Sequence, residues 1–344
     1  MSPTLKNFPS SWRIRYKRAS TGSAYLSHLD ELNLRQTFTM NSQGAVWVAG
    51  EVLIDLIPDS SGARQPVVGG GGANTAKALA RLDIPTYFID GISTDEFGVI
   101  ARRELESSGV DLSLAMTSDK STALAKVSLD RSGGASYEFS LQGTSTFDFT
   151  SDWLPSGSPK VLHYGTLATL IEPGATQLFH WAKTLTAAKV FDPNIRPSVL
   201  GDRMKYRESV DKWISISDVV KLSDDDLFWL YPESKDLDGA IEIAREILST
   251  SSCSIVVITR GSKGLIGVTE EGVVEVPGVI VDVIDTVGAG DTVGAILVEA
   301  IYRHGLGALV GDGLEKTLKR AARAAAITCS RSGAQPPTRA ELLD

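Results

Sequence analysis

Short apolar runs along this chain alternate with stretches in which apolar residues recur every three or four positions. That is the pattern of strands interleaved with amphipathic helices. The first run, Ala45-Val-Trp-Val-Ala-Gly-Glu-Val-Leu-Ile-Asp-Leu-Ile57, is nearly continuous and reads as a buried parallel strand, broken only by Gly50, Glu51 and Asp55. Val67–Leu82 carries consecutive glycines, Gly69 to Gly72, into an alanine-rich helix. Thr86–Asp90 reads as a short strand, and Asp95-Glu-Phe-Gly98 opens a helix through Leu105. Thr122–Asp130 and Ala135–Leu141 flank Arg131-Ser-Gly-Gly134, which predicts a hairpin. Lys160–Gly165 and Lys189–Arg196 look like strands ending in polar residues, and Ser254–Gly264 like a strand entering a glycine-rich turn. The β-branched run Val279–Ile284 predicts another buried strand. After it, Val293, Ile296, Leu297, Ala300 and Ile301 recur at helical spacing, so a helix begins at Ala289 or Gly290. Leu314–Cys329 is a further amphipathic helix. The alternation predicts an α/β domain with a mostly parallel sheet and helices on both faces.

Candidate chemistry gathers where strands give way to helices. Gly288-Ala289-Gly290 permits a tight turn and close approach by a ligand. The helix behind it presents free backbone N–H groups and the positive end of its dipole to an anion. Asp291, in the first turn, is either a complement to that dipole or a general base working beside a phosphate. The glycines do not form a dinucleotide fingerprint, being one residue too widely spaced, and no Lys-Ser or Lys-Thr follows to make a P-loop. Asp55, a charge inside an apolar run, is either a strand-end residue facing solvent or a hook for hydroxyl groups. Asn74 is either a helix cap or a polar contact lying against a glycine-lined ligand.

Two segments carry a family resemblance. Asp285-Thr-Val-Gly-Ala-Gly-Asp291 is similar to the C-terminal signature of the ribokinase-like (PfkB) sugar kinases. Gly-Gly followed four residues later by Asn74 and Ala-x-x-Leu-Ala-x-Leu resembles their N-terminal one. The resemblance covers about residues 45–340 and implies a ribokinase-like three-layer α/β/α fold, with a small β-sheet lid built from about 56–68 and 122–146. It implies Asp291 as catalytic base and the amides around Gly288, Ala289 and Gly290 as an anion hole. Asp55, Gly70, Gly71 and Asn74 would line the sugar pocket, with Tyr137 and Phe139 of the hairpin either touching substrate or packing. Asp192-Pro-Asn-Ile-Arg196 resembles a fructokinase segment whose Arg196 would contact substrate or phosphates; the alternative is a surface ion pair. Lys221, Thr259, Gly261, Gly264 and Gly290 would border ATP. Many members have Asn-x-x-Glu where this chain has Ser223-Asp-Asp-Asp226; Asp226 would organise Mg²⁺ through water or simply cap a helix. Ser330–Pro337 would complete a site for K⁺. Of the histidines, His163 could reach the pocket or be structural. The implied activity is an ATP-dependent sugar kinase. Fructose is the favoured acceptor, ahead of 2-keto-3-deoxygluconate and then ribose or a nucleoside. A non-catalytic sugar- or nucleotide-binding regulator is the reading from another class. Relatives often dimerise through the lid.

Composition narrows the partners. Hydrophobic residues at 42% and charged ones at 22% of 344 residues are ordinary for a soluble protein of one large domain. A net charge of -8 argues against nucleic acid or an anionic membrane surface. Residues 1–44 carry six Lys and Arg against two acids, a net +4 that leaves -12 for 45–344. This acid-poor start is expected to be a disordered tail or to precede a true beginning at Met40, with an organelle transit peptide as the lesser expectation. Cys253 and Cys329 read as reduced core thiols. No apolar run approaches the ~20 residues of a membrane span, and a cytoplasmic protein is expected.

Overall fold

The apolar run Ala45–Ile57 does not stay in one sheet. In the computed structural model, which describes residues 44–343 except 60, 62, 130–134 and 235, it forms β1 (Val46–Ala49) of a large sheet and β2 (Leu53–Pro58) of a second one. The chain leaves the large sheet where two backbones cross: a Cβ on Gly50 would stand 2.7 Å from the Cα of Gly72. Only glycine at both positions allows that approach. The basic N-terminal segment, the Arg131–Gly134 turn and the Tyr137 side chain lie outside the described residues.

The remaining strands are β3 (Arg64–Gly69), β4 (Thr86–Ile89), β5 (Gly91–Ser93), β6 (Met116–Ser118), β7 (Leu124–Leu129), β8 (Ala135–Ser140), β9 (Val161–Gly165), β10 (Ala188–Asp192), β11 (Val219–Ser223), β12 (Ile255–Thr259), β13 (Leu265–Thr269) and β14 (Gly272–Val276). The large sheet has eight strands in the order β14-β13-β12-β11-β10-β9-β1-β4. It is parallel from β12 to β4 and antiparallel at the β12–β13 and β13–β14 pairings. The second sheet, β3-β2-β7-β8, joins two antiparallel hairpins through a parallel β2–β7 pairing.

Helices cover both faces of the large sheet. Alternation along β1 shows why: Val46 and Val48 enter one core, Trp47 and Ala49 the other, and all four are fully buried. The first core is closed by α1 (Gly71–Arg81), α2 (Glu96–Ser107) and, later in the chain, two long helices bearing Ile296, Leu297, Leu318 and Ala321. The second is closed by α3 (Gly174–Thr184), α4 (Arg203–Ile214), α5 (Asp224–Leu230) and α6 (Leu237–Thr250), through Leu178, Trp213, Leu227 and Ile247. The long helices are α7 (Ala289–His304) and α8 (Asp312–Cys329). Asp95 caps α2 by accepting the Gly98 N–H at 2.8 Å. Among the described residues no helix is long and apolar enough to cross a membrane.

One predicted strand is absent. Val279–Ile284 forms no strand, and Ile280 is 99% and Ile284 66% exposed. β-Branching marks extended backbone, not sheet membership. Here the apolar side chains Val279, Ile280, Val281 and Val283 line an open cleft.

Candidate active site

The parallel strands point their carboxyl ends at the start of α7, the usual ligand-binding edge of an open α/β sheet. Gly288, with φ at 78°, turns the chain into the helix in the left-handed region that glycine adopts freely. A Cβ there would also meet the Ala334 side chain at 2.6 Å. The first-turn N–H groups of Gly290 and Asp291 have no acceptor within the helix and are available to an anion. Asp291 is 6% exposed, and its Oδ2 accepts the Asn74 side-chain N–H at 2.9 Å. The two sequence signatures therefore meet at one hydrogen bond. Burial, with Asp192 nearby, pushes the Asp291 carboxyl up to about 6, against the opposing pull of Lys221, Asn74 and Arg196.

A cleft of about 390 Å³ opens above Asp291. Its walls include Asp55 from β2, Gly70, Gly71 and Asn74 from the start of α1, and Arg196 beyond β10. Phe139 reaches it from β8 of the second sheet. Asp55 is raised to about 6 by burial, while the Arg196 guanidinium works the other way. Arg196 is exposed and donates to the carbonyls of Asn194 and Ile195, which sets it on the rim beside Asp55. Thr166 and Glu51 also line this cleft, and sequence reasoning did not single them out.

A second cleft of about 520 Å³ lies across the Gly288–Asp291 turn and shares Thr286 and Gly290 with the first. Thr259, Gly261 and Gly264 border it, facing Val279, Ile280, Val281 and Val283 and Ala322, Ala325 and Ala326 of α8. Cys329 forms part of this wall and is no core thiol; Cys253 is buried.

Lys221 corrects its expected place. It does not line the second cleft but is buried against Asp192, Nζ to Oδ2 at 2.6 Å, both side chains under 5% exposed. A Cβ on Gly290 would stand 3.1 Å from Nζ, so the ammonium lies directly behind the Gly288–Asp291 turn. Burial opposes that charge, but Asp192, Asp226 and Asp291 outweigh it and raise the lysine above its ordinary value. Asp226 is the third-position partner of a capping box in which Ser223 is the cap: its Oδ2 accepts the Ser223 N–H at 2.8 Å, and its Oδ1 accepts the Ile195 N–H at 2.9 Å. Asp192 Oδ1 is buried without a hydrogen-bond partner. His163 is buried behind α7, its ring nitrogens unpartnered, and burial and Lys221 lower it to about 3. It does not line either cleft.

Two clefts meeting at a helix N-terminus with a buried carboxylate fit transfer of an anionic group between two ligands. Residues 44–341 match the pfkB family carbohydrate kinase pattern. The chain belongs to the pfkB family of carbohydrate kinases. This pfkB-family kinase is 34% identical over 265 residues to a fructokinase of Rhizobium leguminosarum bv. trifolii, spanning 75% of this chain and 79% of that one. It is 28% identical over 264 residues to an aminoimidazole riboside kinase of Salmonella typhimurium strain LT2, spanning 75% and 81%. Its fold matches the crystal structure of fructokinase from Vibrio cholerae O395 in fructose, ADP and calcium ion bound form. That match has a TM-score of 0.78 at 26% identity, over 88% of this chain and 98% of that one.

Proposed function

We propose that this pfkB-family kinase transfers the γ-phosphoryl group of MgATP to a primary hydroxyl of fructose. The observation that carries the reading is the buried Asp291 carboxylate, oriented by Asn74 at the junction of two clefts. Fructose occupies the polar cleft, its hydroxyls donating to Asp55, and ATP the apolar-walled one, its phosphates at the start of α7. The sugar hydroxyl oxygen attacks the γ-phosphorus, the bond to ADP breaks, and the hydroxyl proton passes to Asp291. The Gly290 and Asp291 amides, with the Lys221 ammonium behind them, meet the charge that spreads over the transferring oxygens. The second sheet, which brings Phe139 to the sugar cleft, acts as a lid that excludes competing water.

The residues fit a hydrated divalent ion. Asp192 Oδ1 is buried and unpartnered beside Lys221, and magnesium, which keeps most of its waters, needs only one or two such carboxylates besides phosphate oxygens. When bound, the ion neutralises charge on the phosphates.

The test is ADP release from MgATP, with and without K⁺, against fructose, 2-keto-3-deoxygluconate, ribose, adenosine and fructose 6-phosphate. Strongest turnover with fructose is expected. Turnover only with the keto acid would replace fructose and make Arg196, on the rim beside Asp55, its carboxylate anchor. Silence across the panel with ligands still binding would leave a sugar- or nucleotide-binding regulator. In the same assay Asp55→Ala is expected to raise the fructose KM roughly ten- to a hundredfold, the worth of hydrogen bonds to a charged group, with a smaller change in kcat. An unchanged KM would remove Asp55 from the sugar contacts.

A further inference from the structure

Glu51 is 3% exposed, and a buried carboxylate is costly unless it is bonded. Its bonds go to two segments distant in sequence. Oε1 accepts the Gly71 N–H at 2.8 Å, and the Glu51 carbonyl accepts the Ala73 N–H at 3.1 Å. Oε2 accepts the Thr166 hydroxyl and, at 3.3 Å, the Ala168 N–H. The residue that precedes α1, Gly70, has no side chain with which to cap it. Glu51 performs that task from the segment between β1 and β2, satisfying two orphan amides and setting a carboxylate at the positive end of the helix.

The helix so held carries Asn74 in its first turn, and Asn74 makes the hydrogen bond to Asp291. Thr166 sits in the left-handed region at φ 50°, unusual for a β-branched residue, with its methyl group 2.4 Å from where a Gly71 Cβ would lie. That position is in turn 3.4 Å from Asp291 Oδ1. Glu51 thus ties together three walls of the cleft that holds Asp291: the start of α1, the turn after β9, and its own segment between β1 and β2.

We infer that Glu51 is a positioning residue for the catalytic base. It fixes the start of α1 at the height and rotation at which the Asn74 amide meets Asp291, and clamps Thr166 against the same turn. The inference rests on Asp291 being the base, as proposed above. The charged groups facing Asp291 are Asp192, Lys221 and Arg196, and Glu51 itself, which burial raises above its ordinary value, lies across Gly71 from it; the Asn74 amide favours the ionised form of Asp291. Losing that amide raises the pH at which the base becomes protonated.

The experiment is a double-mutant cycle of Glu51→Gln and Asn74→Ala in the full chain. It uses whichever sugar is turned over, and follows kcat, its acid limb, melting temperature and ATP affinity. Each single variant is expected to lose roughly ten- to a hundredfold in kcat through misplacement of the base. Each is expected to move the acid limb to higher pH with ATP affinity kept, and the double variant to be no worse than the worse single. Additive losses would overturn the inference. So would a Glu51→Gln protein that melts earlier but keeps kcat and the acid limb, since that is plain capping. If Glu51→Gln does not fold, Glu51→Asp takes its place: it keeps the charge but withdraws it by one methylene, and the same coupling is expected. Failure of the base assignment itself reads differently, as turnover surviving Asp291→Asn.

Discussion

Asp291→Asn is expected to lower kcat by roughly 10²–10⁴-fold, the usual worth of a general base, with sugar and ATP affinities nearly unchanged. The amide has nearly the shape of the carboxylate and can still accept the Asn74 hydrogen bond, so the turn at Gly288 and the two clefts should persist. What disappears is the group that takes the hydroxyl proton. Rapid-quench turnover beside calorimetric titration of both ligands separates the two effects. A kcat within tenfold of wild type would remove Asp291 from proton transfer and leave it the ordinary acidic residue of a helix N-terminus. In the wild-type protein, kcat should fall as pH drops through about 6, where the buried carboxyl takes up its proton.

The same substitution should make the protein more stable, and pH should decide by how much. Burial lifts the Asp291 carboxyl from its ordinary 3.8 to about 6, so keeping it ionised costs the folded state about 3 kcal/mol. At pH 8 the group is ionised both folded and unfolded, and the cost is fully present. As pH falls through 6 the folded protein takes up the proton first and the cost shrinks; below 3.8 both states are protonated and it is gone. Asparagine carries no such cost. Chemical denaturation of both proteins should therefore show Asp291→Asn ahead by about 3 kcal/mol at pH 8, with the advantage fading towards pH 4. An advantage of equal size at both pH values would mean that charge burial is not its source.

How much of this was legible in the sequence follows from how local each signal is. The glycine turn, Asp291 and the helix behind them lie within a few residues, and turn geometry and periodicity reveal them directly. The parallel sheet with helices on both faces was equally legible, because apolar rhythm records burial. The break of Ala45–Ile57 into two sheets was not, since its cause, Gly50 against Gly72, is a contact between segments. Val279–Ile284 misled because a cleft wall and a sheet interior call for the same β-branched residues. Lys221 and Asp192 sit on adjacent strands, and nothing in either segment announces that they pair. Glu51 left one trace, a charge interrupting an apolar run, which by itself does not distinguish a strand end from a remote helix cap.

The hydrogen bond between Asn74 and Asp291 joins residues 217 positions apart. Its donor is made 217 residues before its acceptor, and contacts of such long range are the ones that slow folding. A nascent chain released to about residue 285 would hold Asp55, Gly71 and Asn74 of the first cleft, and yet lack Asp291 and the start of α7. On the proposed reading of the site, phosphoryl transfer cannot begin until Asp291 and the first turn of α7 have been made.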